Sequence, residues 1–501
     1  MVNSKILATI AFVAWMSTAI SQNEIDALRN AQSFFGGSAR SMGMAGSFGA
    51  LGADPSSINT NPAGLGRFSK GHFSLTLGSR FNNMSSSFSG TEASFMRTSV
   101  PLQSVALVIN APRLNEYGWK SVQTSFAYNR LADFTAARYY EGKNYNSLLD
   151  VFASNGYLVP TSELFSNPST YFTTNLAWQT YALDDDQNSF FETYYQPRLN
   201  IGDTMYHRKT LQSKGGISEY SFAISGNYNN SLYVGGSLNI QNIRYFETNR
   251  HEETVLEPDG FSLQSFTYDF NLESRGFGAN LKFGLIYLPT ESFRVGFSFH
   301  SPTMLRFREK FDADMTAVHD FGVVETPNEF KPNGDFQYRF RNPLRWMVSL
   351  AYVHNKRLAM NVDFEMVDYG NAAFRSSNNL TYQYGFVNEN LMINSLYRNA
   401  ANLKFGVEYA INAEWFVRGG YASFGRAFSN DHKNEARANN FFAAGVGYRK
   451  GKYVIDLAYV NHRARSEYYA FEMAGVDQSD LQAVFRQNAH QLVLTLGVRF
   501  N

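Results

Sequence analysis

Five cations, Lys282, Arg294, Lys404, Arg418 and Arg499, stand on the polar phase of segments that alternate apolar and polar residues. In a narrow, partly dry channel such cations would attract a carboxylate head group through charge-assisted hydrogen bonds. Acids occupy the same phases at Asp363, Glu365, Glu408 and Asp456. The plainer reading is therefore a ladder of ion pairs that stiffens a wall. Arg294, Lys404 and Arg418 are the candidates for holding a ligand carboxylate.

No other chemistry has the right spacing. His251-Glu252 begins a zinc-protease motif, but Val255 stands where the second histidine belongs. There is no Gly-x-Ser-x-Gly elbow, phosphate loop or dinucleotide fingerprint. His300 and Ser301 are adjacent, so on a strand they face opposite sides and form no catalytic pair. Asp184-Asp185-Asp186 lacks the ligand spacing of a calcium loop and reads as a solvated charge run. The chain has no cysteine, which excludes disulfides and thiolate metal sites. No catalytic residue, metal ligand or cofactor is expected, and the chain does not read as an enzyme. A net charge of +1 argues against nucleic acid as a partner.

What positions the cations is a series of strands. Phe293, Val295, Phe297 and Phe299 alternate with Arg294, Gly296, Ser298 and His300. Met360 to Met366, Leu403 to Tyr409 and Leu492 to Phe500 repeat the pattern, giving each segment one apolar and one polar face. A soluble sandwich would turn the apolar face inward. Three features favour the inverse, an all-β transmembrane antiparallel barrel. The segments run about ten residues, enough for a tilted strand to cross a bilayer. Tyr409, Tyr448, Tyr453, Tyr459 and Phe500 cluster toward strand ends, as interfacial girdles do. The polar phases carry charge, which suits a hydrated lumen.

Strands are expected to begin near residues 72, 102, 119, 217, 231, 276, 292, 344, 357, 400, 414, 440, 453 and 489. That is about 14 strands, an even number as single-chain bacterial barrels require. Tight turns alternate with long polar connections at 132–216, 247–274, 302–341, 369–399, 426–439 and 464–488. Short periplasmic turns and long outer loops are the outer-membrane arrangement.

Residues 1–21 read as a secretory signal: Lys5, the apolar run Ile6 to Trp15, then the small-residue site Ala19-Ile20-Ser21. The domain plan is thus a signal peptide (1–21), an N-terminal hatch (22–70) and a barrel (71–501). The hatch is rich in Gly, Ala, Ser and Met, yet carries Phe34, Phe35, Met42, Met44, Phe48 and Leu51. That is too apolar for a solvated linker. A plug enclosed by the barrel explains both features.

The hatch stretch GGSARSMGMAGSFGALGADPSSINTNPAGLGR, residues 36–67, resembles the FadL/TodX (OmpP1) family of outer-membrane transporters of hydrophobic compounds, in its Bacteroidetes-type form. RGFGANLKFGLIYLPTESFRVGFSFHSPT, residues 275–303, is similar to that family's central hairpin. The family's Asn-Pro-Ala maps onto Asn61, Pro62 and Ala63, followed by Gly64. The 132–216 connection has no counterpart in the resemblance.

The resemblance implies a 14-stranded barrel, an apolar ligand site beside the hatch, and passive uptake of long-chain fatty acids or related lipids and aromatics. Release would be through a lateral opening in the wall, placed by the family at Trp119 to Arg130, where no local proline or bulge marks it. Phe34, Phe35, Met42, Met44 and Phe48 are the candidate apolar contacts. Expected partners are a hydrophobic small molecule, outer-membrane lipid and, during biogenesis, the barrel-assembly machinery, with the chain acting as a monomer. The alternative function is an outer-membrane shuttle or attachment partner for secreted or surface proteins.

Overall fold

Strict alternation of side chains permits only extended backbone, and extended backbone in hydrocarbon must pair every N–H and C=O with a neighbour. The computed structural model meets that demand by closure. It describes residues 24–113, 117–166, 171–185, 194–200, 202–258, 263–377, 385–429, 438–471 and 478–500; the expected signal segment lies outside them.

Fourteen antiparallel strands form the barrel. They are β1 (Gly71–Phe88), β2 (Leu102–Pro112), β3 (Trp119–Asp133), β4 (Met205–Tyr228), β5 (Leu232–Val255), β6 (Leu263–Tyr287) and β7 (Phe293–His300). The second half comprises β8 (Arg345–His354), β9 (Leu358–Asp368), β10 (Asn399–Ala410), β11 (Trp415–Phe424), β12 (Asn439–Lys450), β13 (Tyr453–Tyr469) and β14 (Gln482–Phe500). Each pairs with the next, and β1 pairs with β14 from Gly71–Phe500 to Phe88–Ala483, closing the ring.

The faces are inverted relative to a soluble protein. Leu281, Phe283, Leu285, Val362, Phe364, Leu403, Phe405, Leu492, Leu494 and Leu496 are exposed, whereas Lys282, Asp363, Glu365, Lys404 and Thr495 are buried inside. At the short-turn end, Trp119 meets Tyr228, Phe293 meets Tyr352 and Trp415 meets Tyr448 with ring centroids 4.9–5.5 Å apart. These pairs form the girdle at that interface. Among the described residues no helix is long and apolar enough to cross a membrane.

One expectation needs correction. The connections at 247–274, 302–341 and 464–488 are in large part strand. β5 and β6 run 24 and 25 residues, where about ten span a bilayer. Beyond the membrane the outward side chains are charged instead of apolar: Arg250 pairs with Asp269 at 2.8 Å and Arg208 with Glu252 at 3.2 Å. The strand continues while its apolar residues leave the lipid-facing phase, in β6 for the inward phase at Phe266, Tyr268 and Leu272, so a reading that follows the lipid face loses sight of it. On the same outer edge, Ala136–Asn144 pairs with β4, Met304–His319 with β6 and Thr91–Ser99 with β1. Helices Leu148–Asn155 and Phe172–Gln179 pack over this outer sheet.

The N-terminal segment fills the lumen. It contains helix α1 (Glu24–Ala31), two single helical turns (Ala39–Met42 and Ser57–Thr60) and a 3-10 turn (Pro62–Arg67) that leads into β1. Met42, Met44, Phe48, Leu51, Ile58 and Leu65 are all buried against the wall.

Candidate functional site

The lumenal charges chiefly tie the hatch to the wall. Arg40 of the hatch grips Glu408 of β10 through two hydrogen bonds, 2.7 and 2.8 Å. Arg418 of β11 reaches the same carboxylate at 2.7 Å and Asp456 at 2.7 Å. Burial disfavours the Arg40 charge, and the Glu408 carboxylate outweighs that, holding its pKa above the ordinary arginine value. Asp363 of β9 accepts from the backbone N–H groups of Phe48 and Gly49 at 3.0 and 3.1 Å. Thr495 of β14 accepts from Ala39 N at 2.7 Å.

Asn61 locks the end of the hatch. Its Nδ2 donates to Gly49 O at 2.7 Å and to Leu285 O of β6 at 3.1 Å, while its Oδ1 accepts from Ala63 N at 3.2 Å. Pro62 opens the 3-10 turn, where a missing N–H is harmless. Ala63 O accepts from Ser225 of β4 at 3.2 Å, and Gly64 O accepts from Ala53 N at 2.9 Å. The wall is cut to receive this turn: a Cβ on Gly284 would lie 1.9 Å from Asn61 Oδ1.

Above the locked part, between hatch residues 30–36 and 59–60 and the wall, lies a cavity of about 940 Å³, open solvent at its mouth included. Phe34, Phe35, Leu131, Ile217, Trp346, Met347 and Phe424 form its apolar surface. Lys282, His300, Arg345, Glu365 and Lys404 add a charged cluster to the lining. Lys404 stands 3.0 Å from Glu365, and Arg345 stands 3.5 Å from it. Lys282 pairs with Glu219 of β4. With Lys282 neutralised by Glu219, Arg345 and Lys404 share the single carboxylate of Glu365, an excess of one positive charge that suits an anionic head group.

The cavity divides the sequence candidates. Phe34 and Phe35 line it, packed edge-on against Phe424 and Phe441 at 5.0–5.1 Å. Met42, Met44 and Phe48 do not; they fill the hatch-to-wall seam, Met44 against Gly406 and Gly420 and Phe48 beneath Arg40. Lys404 lines the cavity, its ammonium beside Glu365 and over the Phe424 ring. Arg418 is held by two carboxylates away from it, and Arg294 donates to the hatch carbonyl of Leu51 at 3.0 Å. His300 contacts Thr60 O at 2.9 Å and so braces the hatch, whereas Ser301 accepts from Leu281 N of β6 at 2.9 Å, within the wall. Asp184, of the acidic run, is exposed and paired with Arg198; Asp186 lies outside the described residues. Leu131 and Trp346 were missed because they stand near strand ends, where alternation does not reveal which side faces the cavity; Ile217, in the middle of β4, was missed because only the strand's second half was expected.

The wall beside the cavity is interrupted. The β2–β3 ladder ends at Ser104–Asn129, because Pro101 precedes β2, while β3 continues to Asp133. On its other side β3 slips register between Arg130 and Ala132. The Leu131 carbonyl accepts from the hatch, from Phe34 N at 3.4 Å. Ser99 reaches Asp133 at 2.8 Å and closes the upper margin of the gap.

Comparison with known folds gives a consistent picture. A Pseudomonas aeruginosa FadL homologue aligns over 94% of this chain and 100% of its own, with a TM-score of 0.56 at 13% identity. The Pseudomonas putida toluene transporter TodX aligns over 93% of this chain and 99% of its own, with a TM-score of 0.52 at 14% identity. A comparison with curated protein sequences finds no match. The profile of the outer membrane protein transport proteins (OMPP1/FadL/TodX) matches residues 211–501, β4 to β14. With that match over more than half its length, the chain belongs to the OMPP1/FadL/TodX family of outer-membrane transporters of hydrophobic compounds, which are not enzymes.

Proposed function

We propose that the protein takes up long-chain fatty acids or related amphipathic acids, binding them beside the hatch and releasing them sideways into the membrane. The observation that carries this reading is the cavity's mixed lining. Apolar Phe34, Phe35, Leu131 and Phe424 share it with Lys282, Arg345 and Lys404, the Lys404 ammonium standing 5.5 Å over the Phe424 ring. Apolar surface gains roughly 25 cal/mol per Å² on leaving water, so an alkyl chain favours such a wall over an aqueous pore. A carboxylate would meet the cations in a site of low dielectric, where charge-assisted hydrogen bonds are strong.

Lateral release is supported by the break between β2 and β3. Leu131 lines the cavity and lies where β3 has outrun its ladder with β2. Its carbonyl is covered by the hatch instead of by a strand. Displacement of Phe34 would join the cavity to the lipid. Closure of the ring by β1 and β14 of one chain supports a monomer, inserted by the barrel-assembly machinery.

The test is uptake of labelled palmitate by vesicles carrying the purified protein, with and without residues 22–67, together with a photoreactive palmitate analogue. The analogue is expected to label residues 100–103 and 129–133. Labelling confined to the short-turn end near Leu65 and Tyr233 would refute lateral release. Equal uptake of sugars, or no lipid binding, would refute the transport reading. Stable co-purification with a secreted surface protein would instead favour the shuttle function.

A further inference from the structure

Far above the bilayer, the outer ends of β4 and β5 bury a cluster that ligand transport does not use. His207 of β4 lies directly across the ladder from Glu253 of β5, and His251 lies two residues before Glu253 on the same inward face. All three side chains are essentially inaccessible to solvent. Their donor atoms lie within 4.8 Å of one another. His251 Nε2 is 2.7 Å from Glu253 Oε1, and His207 Nδ1 is 3.4 Å from the same oxygen. The rings of Phe88, Phe266 and Phe471 surround the two imidazoles at centroid distances of 6.2–6.5 Å.

The hydrogen bonding of this cluster is incomplete in a specific way. Glu253 is well served: Ser147 Oγ donates to Oε2 at 2.6 Å and Leu148 N to Oε1 at 2.9 Å. His207 is not. Among the described residues neither of its ring nitrogens has a hydrogen-bond partner, although Nδ1 lies 3.4 Å from the carboxylate. Buried polar groups are ordinarily hydrogen-bonded, so an aromatic box holding an unpartnered imidazole needs an explanation.

We propose that His207, His251 and Glu253 bind one divalent transition-metal ion of the zinc class. Zinc takes His nitrogen at about 2.0–2.1 Å in tetrahedral sites, which sets neighbouring donors about 3.3 Å apart. The separations of 2.7 and 3.4 Å to Oε1 bracket that spacing, and with all donors within 4.8 Å of one another, side-chain rotations that draw the two imidazoles together complete the geometry. Two imidazoles select against calcium and magnesium, which take oxygen donors. The Ser147 hydroxyl, beside the carboxylate, is a further donor at hand. Sequence spacing hides the set because His207 and His251 come from separate strands and meet only through the β4–β5 register. Ser147 caps the helix Leu148–Asn155, so a metal here would also fasten the 132–216 connection onto the strands.

The experiment uses full-length protein purified without a polyhistidine tag, stripped with chelator and titrated with ZnCl2. One zinc per chain is expected, with an X-ray absorption first shell at about 2.0–2.1 Å. Loss of a partner outside the ligand shell already weakens metal sites 10–100-fold, so His207→Leu and His251→Leu should each weaken binding by about 100-fold or more. His207 makes no hydrogen bond, so His207→Leu should preserve the folded barrel, checked by its heat-dependent electrophoretic mobility. Zinc should also slow tryptic cleavage at Arg198, the one trypsin site within 156–199, in the wild type and not in His207→Leu. No stoichiometric zinc in the wild type, or equal zinc in the His207→Leu/His251→Leu double variant, would overturn the assignment.

Discussion

Glu408 holds the hatch and the wall together, and its neutralisation should release the first without opening the second. The carboxylate is nearly buried and accepts from Arg40 Nε and Nη2 at 2.8 and 2.7 Å and from Arg418 Nε at 2.7 Å. Glu408→Gln keeps the shape but replaces one acceptor oxygen with an NH2 group facing arginine donors. Removing one partner of a buried ion pair costs about 3–5 kcal/mol, largely because the other charge is left without compensation. Asp456 still neutralises Arg418 at 2.7 Å, which places the expected effect near the lower end, about 3 kcal/mol. At 1.4 kcal/mol per decade, that is about 100-fold. Hydrogen exchange should therefore show residues 38–67 opening about 100-fold more readily, with the β9–β14 ladders unchanged. Adding Arg40→Gln removes the stranded charge, so the double variant should recover part of the loss, as a coupled pair requires. Protection of 38–67 within threefold of wild type would refute the view that this pair fixes the hatch. Simultaneous loss in the barrel strands would refute the view that hatch and wall open separately.

Three further outcomes follow from the cavity and the seam. Lys404→Met should weaken palmitate binding by about 10- to 100-fold, the worth of one charge-assisted hydrogen bond, and leave hexadecanol unchanged in the same fluorescence titration. Affinity for saturated acids should rise about fourfold per added methylene until the apolar wall is filled, since each buried methylene gives about 0.8 kcal/mol; Phe34→Ala should shift where that rise stops. Gly284→Ala sets a methyl 1.9 Å from Asn61 Oδ1, and the overpacking should destabilise the locked turn by about 1–3 kcal/mol, read as faster trypsin cleavage at Arg67.

The barrel was legible because a lipid-facing strand writes its environment into every second residue. Phe293, Val295 and Phe297 must be apolar wherever their partners come from, so local alternation located β7 and most of its neighbours. The outer halves of β5 and β6 were not legible for the converse reason. There Arg250 and Asp269 face water across the ladder, and in β6 the apolar residues Phe266, Tyr268 and Leu272 stand on the inward phase, so a reading that follows the lipid-facing phase ends at that switch. Pro101 was visible, but its consequence was not. It ends β2 early, and that matters only because β3 runs on beside it to Leu131 and Asp133.

The roles of the lumenal charges show where local reading stops. Alternation places Arg294, Lys404 and Arg418 on one kind of face, and all three do point inward. What each does depends on the part of the plug opposite it. Arg418 meets a carboxylate already claimed by Arg40, a contact spanning 368 residues of sequence. Arg294 meets a hatch carbonyl. Lys404 alone of the three reaches the space that the plug leaves unfilled. A plug must be fixed strongly enough to seal the lumen, and in a site of low dielectric charged anchors do this at few points. A ligand acid competes only with an anchor that borders open volume. By that criterion the Lys404–Glu365–Arg345 group, whose Arg345 also donates to the hatch carbonyl of Ala31, is where the proposed ligand site would meet an anchor, whereas Arg40–Glu408–Arg418 is sealed anchoring alone.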